Sequence, residues 1–354
     1  MRKLMLFCLG LISALLVAES ILRLTESYVV RDRMSAGSVI ENDPEFLVRN
    51  TTSGRRLVPN VRVTIKNHYL SKRDIPVSTN SLGFRDEEIG EKVQSEFRIL
   101  VLGDSITLGD YLKADEVYVE KIGKYLESNF SGKKLQVVNA GVSDIGLAEE
   151  VDILEEKGLA IKPDMIVVGF YLNDSRPPHG FPIDIDYRNF WRRQSVLIET
   201  IYRELVFRKW VKENNVNYRD WSRIGNKNWR QDPGQFKEMI QATQYDWGAA
   251  WTKESWISVE KQLERLVLLS KKHNFKVVIV CFPVSYQVYA DYSENYPQTM
   301  LKNIADKLKL EYIDLLPVLR DFRQHKLYYD HAHPTVFAND LIGKEIAEEI
   351  KNKL

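Results

Sequence analysis

From Phe97 to the C-terminus, short apolar runs alternate with stretches of helical periodicity, and no other feature constrains the fold as tightly. Strands are expected at Arg98–Leu102, Leu135–Asn139, Asp164–Gly169, Lys276–Phe282 and Glu311–Leu315. Between and after them, apolar spacing predicts helices over Lys113–Asn129, Leu147–Gly158, Ser255–His273, Gln298–Leu308 and Val336–Lys353. Alternation of this kind implies a parallel sheet with helices on both faces, an α/β three-layer αβα sandwich on five parallel strands. Residues 97–354 are therefore read as one domain, and no internal repeat is visible.

The alternation breaks between Ser175 and about Glu254. This excursion opens with Pro177-Pro178-His179-Gly180, and all seven tryptophans lie between Trp191 and Trp256. Helical spacing recurs over Gln194–Lys212, where Val196, Leu197, Ile201, Leu205, Val206 and Trp210 form the apolar set. So long an excursion between two core strands exceeds ordinary loop length, so residues 175–254 are expected to form a structured, aromatic-rich cap. Its tryptophans either build the cap's own core or line a groove for a sugar ring or acyl chain. Contact of the Trp/Arg-rich helix with a membrane is a third reading.

At the other end, Arg2 and Lys3 precede an apolar or small-residue run from Leu4 to Ala18, followed by Glu19-Ser20-Ile21-Leu22-Arg23-Leu24. A helix over Leu4–Ala18 alone reaches about 22 Å, short of a hydrocarbon core of about 30 Å; continuing to Leu24 supplies the length. Glu19 and Arg23, four apart, can pair on one helix face. Leu16-Val17-Ala18 is a poor small-x-small cleavage site, so residues 1–24 are read as an uncleaved transmembrane signal anchor, a cleaved signal peptide being the alternative. Arg23, Arg31 and Arg33 follow the span, so charge bias leaves its orientation open. Residues 25–96 are polar and turn-rich, with an alternating piece at Val61–Ile65 and a turn at Asn80–Arg85. They read as a stalk and a small β-rich flank.

Charge narrows the function classes. Lys and Arg number 50 against 49 Asp and Glu, so no global field favours nucleic acid. The two cysteines, Cys8 and Cys281, lie in the apolar N-terminal run and in an expected buried strand. A disulfide framework or cysteine-based metal site is not expected.

Parallel α/β sheets bind ligands beyond the carboxyl ends of their strands. Polar clusters stand at those positions here: Gly103-Asp104-Ser105 after the first strand, Asn139-Ala140-Gly141-Val142-Ser143-Asp144 after the second, and Asn173-Asp174 after the third. Asp330-His331-Ala332-His333 lies beyond the last. A serine hydroxyl becomes a nucleophile when an imidazole takes its proton, and the imidazole needs a carboxylate to fix its tautomer and stabilise its cation. Asp330 and His333 can meet from one loop and reach Ser105. Ser105 begins a helix whose N-terminus favours negative charge, its N–H can donate to an oxyanion, and the Asn173 amide is a second donor.

In these blocks the sequence resembles the SGNH-hydrolase (GDSL-like esterase) superfamily. Gly103-Asp104-Ser105 and Asp330-x-x-His333, followed by Pro334, match its first and last blocks. Gly169-Phe170-Tyr171-Leu172-Asn173-Asp174 keeps the Asn-Asp of the third with a longer gap after the glycine. The resemblance covers residues 97–174 and 276–354. It implies a flavodoxin-like sheet, Ser105 as nucleophile, His333 as base, Asp330 as its orienting acid, and an oxyanion hole from Ser105, Asn173 and the residue at Asp144. The family usually has glycine there. Aspartate tolerates the left-handed conformation, so its N–H can still be presented, but its carboxylate must point away or find a partner. Gly141 is an alternative donor. His331, adjacent to Asp330, competes as base, and a metal site from His331, His333 and Asp330 lacks a third well-spaced ligand.

The resemblance implies hydrolysis of carboxylic esters without cofactor or metal. The substrate is expected to be an acyl ester on carbohydrate, such as O-acetylated envelope polysaccharide or exopolysaccharide. The domain is expected outside the cytoplasm, periplasmic and tethered to the inner membrane by a single pass. Acyl transfer to a sugar hydroxyl with the same triad, and a catalytically silent glycan-binding envelope protein, are the alternatives.

Overall fold

The computed structural model describes residues 2–25, 48–51, 54–127, 130, 134–176, 191, 194–213, 228–244 and 246–353. Parts of two expected segments, residues 26–47 of the stalk and 177–190, 192–193, 214–227 and 245 of the cap, lie outside the described residues. Helix α1 (Arg2–Leu24) comes first, with Glu19 and Arg23 ion-paired at 2.7 Å in its last turns. Its segment Met5–Leu24, of mean hydropathy 2.3, is unburied; among the described residues this is the one helix long and apolar enough to cross a membrane.

Two antiparallel ribbons follow: β1 (Val48–Thr51) with β2 (Gly54–Leu57), and β3 (Arg62–Ile65) with β4 (Ile75–Ser78). The described part of this flank is joined to the main core, since Leu57, Ile65, Ile75, Val77 and Phe84 are buried within it. The turn after β4 is built by Asn80, whose Oδ1 accepts the N–H groups of Leu82 and Phe84 at 3.0 Å each. Arg85 then donates from inside the fold to the carbonyls of Leu108, Gly109 and Leu112.

The main sheet holds β5 (Glu96–Gly103), β6 (Lys134–Asn139), β7 (Met165–Tyr171), β8 (Lys276–Phe282) and β9 (Glu311–Asp314), all parallel in the order β6-β5-β7-β8-β9. This is the five-stranded, flavodoxin-like order. β7 is buried throughout and β8 from its second residue, the mark of parallel strands covered on both faces. The helices are α2 (Ser105–Leu108), α3 (Tyr118–Leu126), α4 (Leu147–Glu156), α5 (Val196–Glu213), α6 (Pro233–Ala242), α7 (Lys253–His273), α8 (Ser285–Tyr289), α9 (Tyr296–Leu308), α10 (Leu315–Asp321) and α11 (Val336–Ile350). α3 packs on α11 and α11 on α10, whereas α7 packs on α4 and α9, giving the two outer layers of an αβα sandwich.

Element boundaries move where side chains intervene. The expected helix at Lys113 starts at Tyr118 after a 3-10 turn, and the Tyr118 N–H donates to Asn339 Oδ1 at 2.9 Å. β9 stops at Asp314 because that carboxylate caps α10, accepting the Leu316 N–H at 2.9 Å. In the cap, Trp247 stacks on Phe236 and meets Trp251 edge-on, while Trp256 stacks on Phe170 of β7. Trp229 packs edge-on against Tyr286. These four tryptophans form the cap's core and its seam with the sheet. Trp191 is exposed; Trp221 and the Trp210 side chain lie outside the described residues.

Candidate active site

Ser105 opens α2, where β5 gives way to helix. Asp104 caps that turn, its carboxylate accepting the Ile106 N–H at 2.9 Å. The tight entry requires glycine at 103, because a Cβ there would come 2.0 Å from Thr107 Oγ1. At the far side of the sheet edge, the loop before α11 is pinned by the Tyr329 N–H donating to the His333 carbonyl and the Ser285 N–H donating to that of His331. This loop brings His333 Nε2 to 3.0 Å from Ser105 Oγ. His333 Nδ1 faces Asp330 Oδ2 at 2.8 Å, and Asp330 Oδ1 accepts the N–H groups of Ala332 and His333 at 2.8 Å each. With Nδ1 protonated toward Asp330, Nε2 is free to accept from the serine.

The electrostatics of the pair follow from this contact. Burial works against ionisation of Asp330, but the His333 charge and hydrogen bond outweigh it and hold the carboxyl well below its usual range. Burial also disfavours the His333 cation, yet the Asp330 charge and hydrogen bond raise its pKa above the ordinary value. Tyr111 covers the imidazole edge-on at 5.0 Å. His331 turns the other way, its Nε2 3.7 Å from Asp246 of the cap. The histidines and Asp330 therefore do not converge on one point, and among the described residues no cluster of His, Cys, Asp and Glu suits a metal ion.

Asp144 adopts φ +57°, the left-handed backbone a glycine would take. Its carboxylate is bridged by two guanidinium groups, Arg55 of β2 at 2.7 Å and Arg176 at 2.5 Å. Burial opposes the Arg176 charge, but Asp144 and Asp246 more than compensate and raise its pKa further. Gly141 has another task. Its N–H donates to Asn139 Oδ1 at 3.0 Å, and a Cβ there would come 2.2 Å from the Leu108 nitrogen. Asn173 is buried in the 3-10 turn after β7, its side chain within hydrogen-bonding reach of Asp104, and its Oδ1 has no partner among the described residues.

Behind the serine lies a group of acids, of which Asp104 and Asp174 belong to the sequence blocks and Glu150 does not. Asp104, Glu150 and Asp174 are all buried. Glu150 faces Asp174, and among the described residues no N–H or O–H reaches either of its oxygens. Burial, then the Asp104 and Glu149 charges, raises its pKa well above the usual range. Burial likewise lifts Asp104, to about 6.

No protein-family model matches the chain, and no curated protein matches its sequence. Among solved structures it is similar to the acetyl xylan esterase AlAXEase, with 13% identity over 73% of this chain and 100% of that one and a TM-score of 0.41. It is similar also to Axe2, an acetylxylan esterase from Geobacillus stearothermophilus, with 18% identity over 75% and 96% and a TM-score of 0.43. LAE5, an alpha/beta hydrolase from the metagenome of Lake Arreo, Spain, has 15% identity over 72% and 94% and a TM-score of 0.43.

Proposed function

We propose that the chain is a serine ester hydrolase of the SGNH type, with Ser105 as nucleophile, His333 as general base and Asp330 as the acid that orients it. The observation that carries this reading is the unbroken contact from Ser105 Oγ through His333 to Asp330, at 3.0 and 2.8 Å. As Oγ attacks the ester carbonyl, its proton passes to His333 Nε2, and Asp330 stabilises the resulting cation. The carbonyl oxygen becomes an oxyanion received by the Ser105 and Asp144 N–H groups and the Asn173 amide. His333 returns the proton to the departing alcohol, and water activated by the same imidazole releases the acid. The reading needs no cofactor or metal.

Under this proposal the substrate is an O-acetylated carbohydrate of the envelope or an exopolysaccharide. A groove of about 540 Å³ between the cap and residues 292–296, where the rings of Phe236, Trp251, Tyr292 and Tyr296 stand beside the amides of Gln241 and Gln244, offers a surface on which sugar rings stack, and its lining does not include Ser105, Asp330 or His333. α1 serves as an uncleaved inner-membrane anchor with the enzyme on the periplasmic side. The anchor reading is supported by the bonds of Glu19 to Ser195, Val196 and Leu197 and of Arg23 to the Gln194 carbonyl, which join α1 to the folded cap. A fluorophosphonate probe tests the chemistry: wild type is labelled and Ser105→Ala is not. Folded wild type that stays unlabelled would overturn the proposal.

A further inference from the structure

Helix α5 carries an exposed apolar stripe. Ile198, Ile201 and Leu205 are 40%, 51% and 62% exposed, and their spacing of three and four puts them on one helix face. Lys212, seven residues beyond Leu205, is exposed and falls on the same face. Glu199 is buried on another side, and Glu204, about a quarter-turn round the helix, pairs with Arg208 at 2.7 Å.

The first turn of α5 is fastened to the end of α1. Glu19 accepts the Val196 N–H at 2.9 Å, the Leu197 N–H at 2.7 Å and the Ser195 hydroxyl at 2.8 Å, so the anchor's own carboxylate caps the cap helix. Arg23 donates to the Gln194 carbonyl at 2.8 Å. The unburied apolar segment Met5–Leu24 ends in this same turn. Wherever α1 leaves the hydrocarbon, α5 begins, so its exposed stripe starts at the height of the headgroups.

We propose that the Ile198–Ile201–Leu205 face of α5 lies on the lipid surface that α1 enters, with Lys212 directed toward the headgroups. The inference rests on the anchor reading of α1. Apolar side chains sink to the acyl boundary, while a lysine stem extends along it and its ammonium meets the headgroups. The cap is then held at the membrane at two places, by a span and by a surface helix.

The test uses the full chain in vesicles of phosphatidylethanolamine and phosphatidylglycerol, in a Cys8→Ser, Cys281→Ala background. Single cysteines Leu11→Cys, Ile201→Cys and Glu204→Cys carry an environment-sensitive fluorophore, and circular dichroism checks the fold of each. We expect deep nitroxide lipids to quench Leu11 and shallow ones to quench Ile201 several-fold more than Glu204. Iodide should reach Glu204 first. If the Ile201 label is as open to iodide as Glu204 while Leu11 sits in lipid, the proposal is overturned and the anchor stands. An Ile201 label shielded from both quenchers would assign the face to protein and also overturn it. A Leu11 label outside the lipid would overturn the anchor reading itself.

Discussion

Arg176 grips the Asp144 carboxylate at 2.5 Å while the Asp144 backbone is held at φ +57°. Charge and conformation are thus separated in one residue: the side chain is neutralised to one side and the N–H can face the serine. Arg55 completes the clamp at 2.7 Å from a strand that precedes the sheet, so the N-terminal flank contributes to the site. Removing Arg176 leaves a carboxylate with one partner beside a developing oxyanion. Arg176→Ala is expected to lower kcat on a short-chain nitrophenyl ester, by no more than the roughly 100–1,000-fold that loss of one oxyanion donor costs. Asp144→Gly should be nearly neutral, and the double variant should recover to the level of Asp144→Gly. A double-mutant cycle on kcat, with melting curves to confirm folding, reads this; failure to recover means that Arg176 acts through something other than Asp144.

The two neighbouring histidines should separate cleanly. His333→Ala is expected to lose fluorophosphonate labelling and several orders of magnitude in turnover. His331→Ala should keep both, because His331 faces Asp246 at 3.7 Å rather than the serine. Its effect belongs to stability. Burial lowers the His331 pKa, but the Asp246 hydrogen bond and charge raise it overall above 6.5. A folded-state pKa raised above the unfolded one contributes stability that is fully present below pH 6.5 and fades as pH rises through the folded value. His331→Ala should therefore lower Tm at pH 5.5 and have little effect at pH 9, and an equal loss at both would refute the ion pair.

Much of the architecture is legible in single stretches of sequence. β8 occupies the expected Lys276–Phe282, because a parallel strand covered on both faces reads as a continuous apolar run. That Ser105, Asp330 and His333 come together was foreseeable, because motif and placement past strand ends coincide. The short helices α8 and α10 have too few residues to show a period, and α10 depends on the Asp314 cap. The clamp on Asp144 was illegible for another reason. Ion pairs join residues with no sequence relation, although Arg176, two residues past Asp174, stood beside a named block. The burial of Asp104 and Glu150 is set by how α2 and α4 pack under the sheet's carboxyl end, which no local sequence pattern records.

Under the proposed mechanism the contact of Asp330 with His333 should set the pH profile. Because the His333 pKa is raised above 6.5, and only its neutral form can accept the serine proton, kcat/KM should climb with pH through a limb above 6.5. Asp330→Asn removes the charge that raises it. The limb should move to lower pH, and kcat should fall by about 10⁴ because the imidazole loses its tautomer control and cation stabilisation. A pH–rate profile of both proteins measures the shift; an unmoved limb would mean that another group is the base.

The buried acids behind Ser105 make a last prediction about stability. Burial first, and the Asp104 and Glu149 charges second, raise the Glu150 pKa well above the usual range in the folded chain, whereas the unfolded chain releases its proton near the ordinary carboxyl pKa. The folded state thus binds more protons, so stability falls as pH rises above about 4.5. Asp86, lifted to about 7 by burial and then Glu120, adds to the same slope. Glu150→Gln keeps a neutral side chain of similar shape and an N–H that can donate to Asp174. It should raise Tm above wild type at pH 8, with the gap narrowing toward pH 5. Thermal melts across that range decide it. A gap that stays constant would show that Glu150 is not held protonated, and a fall in Tm at every pH would show that its hydroxyl makes a contact the amide cannot replace.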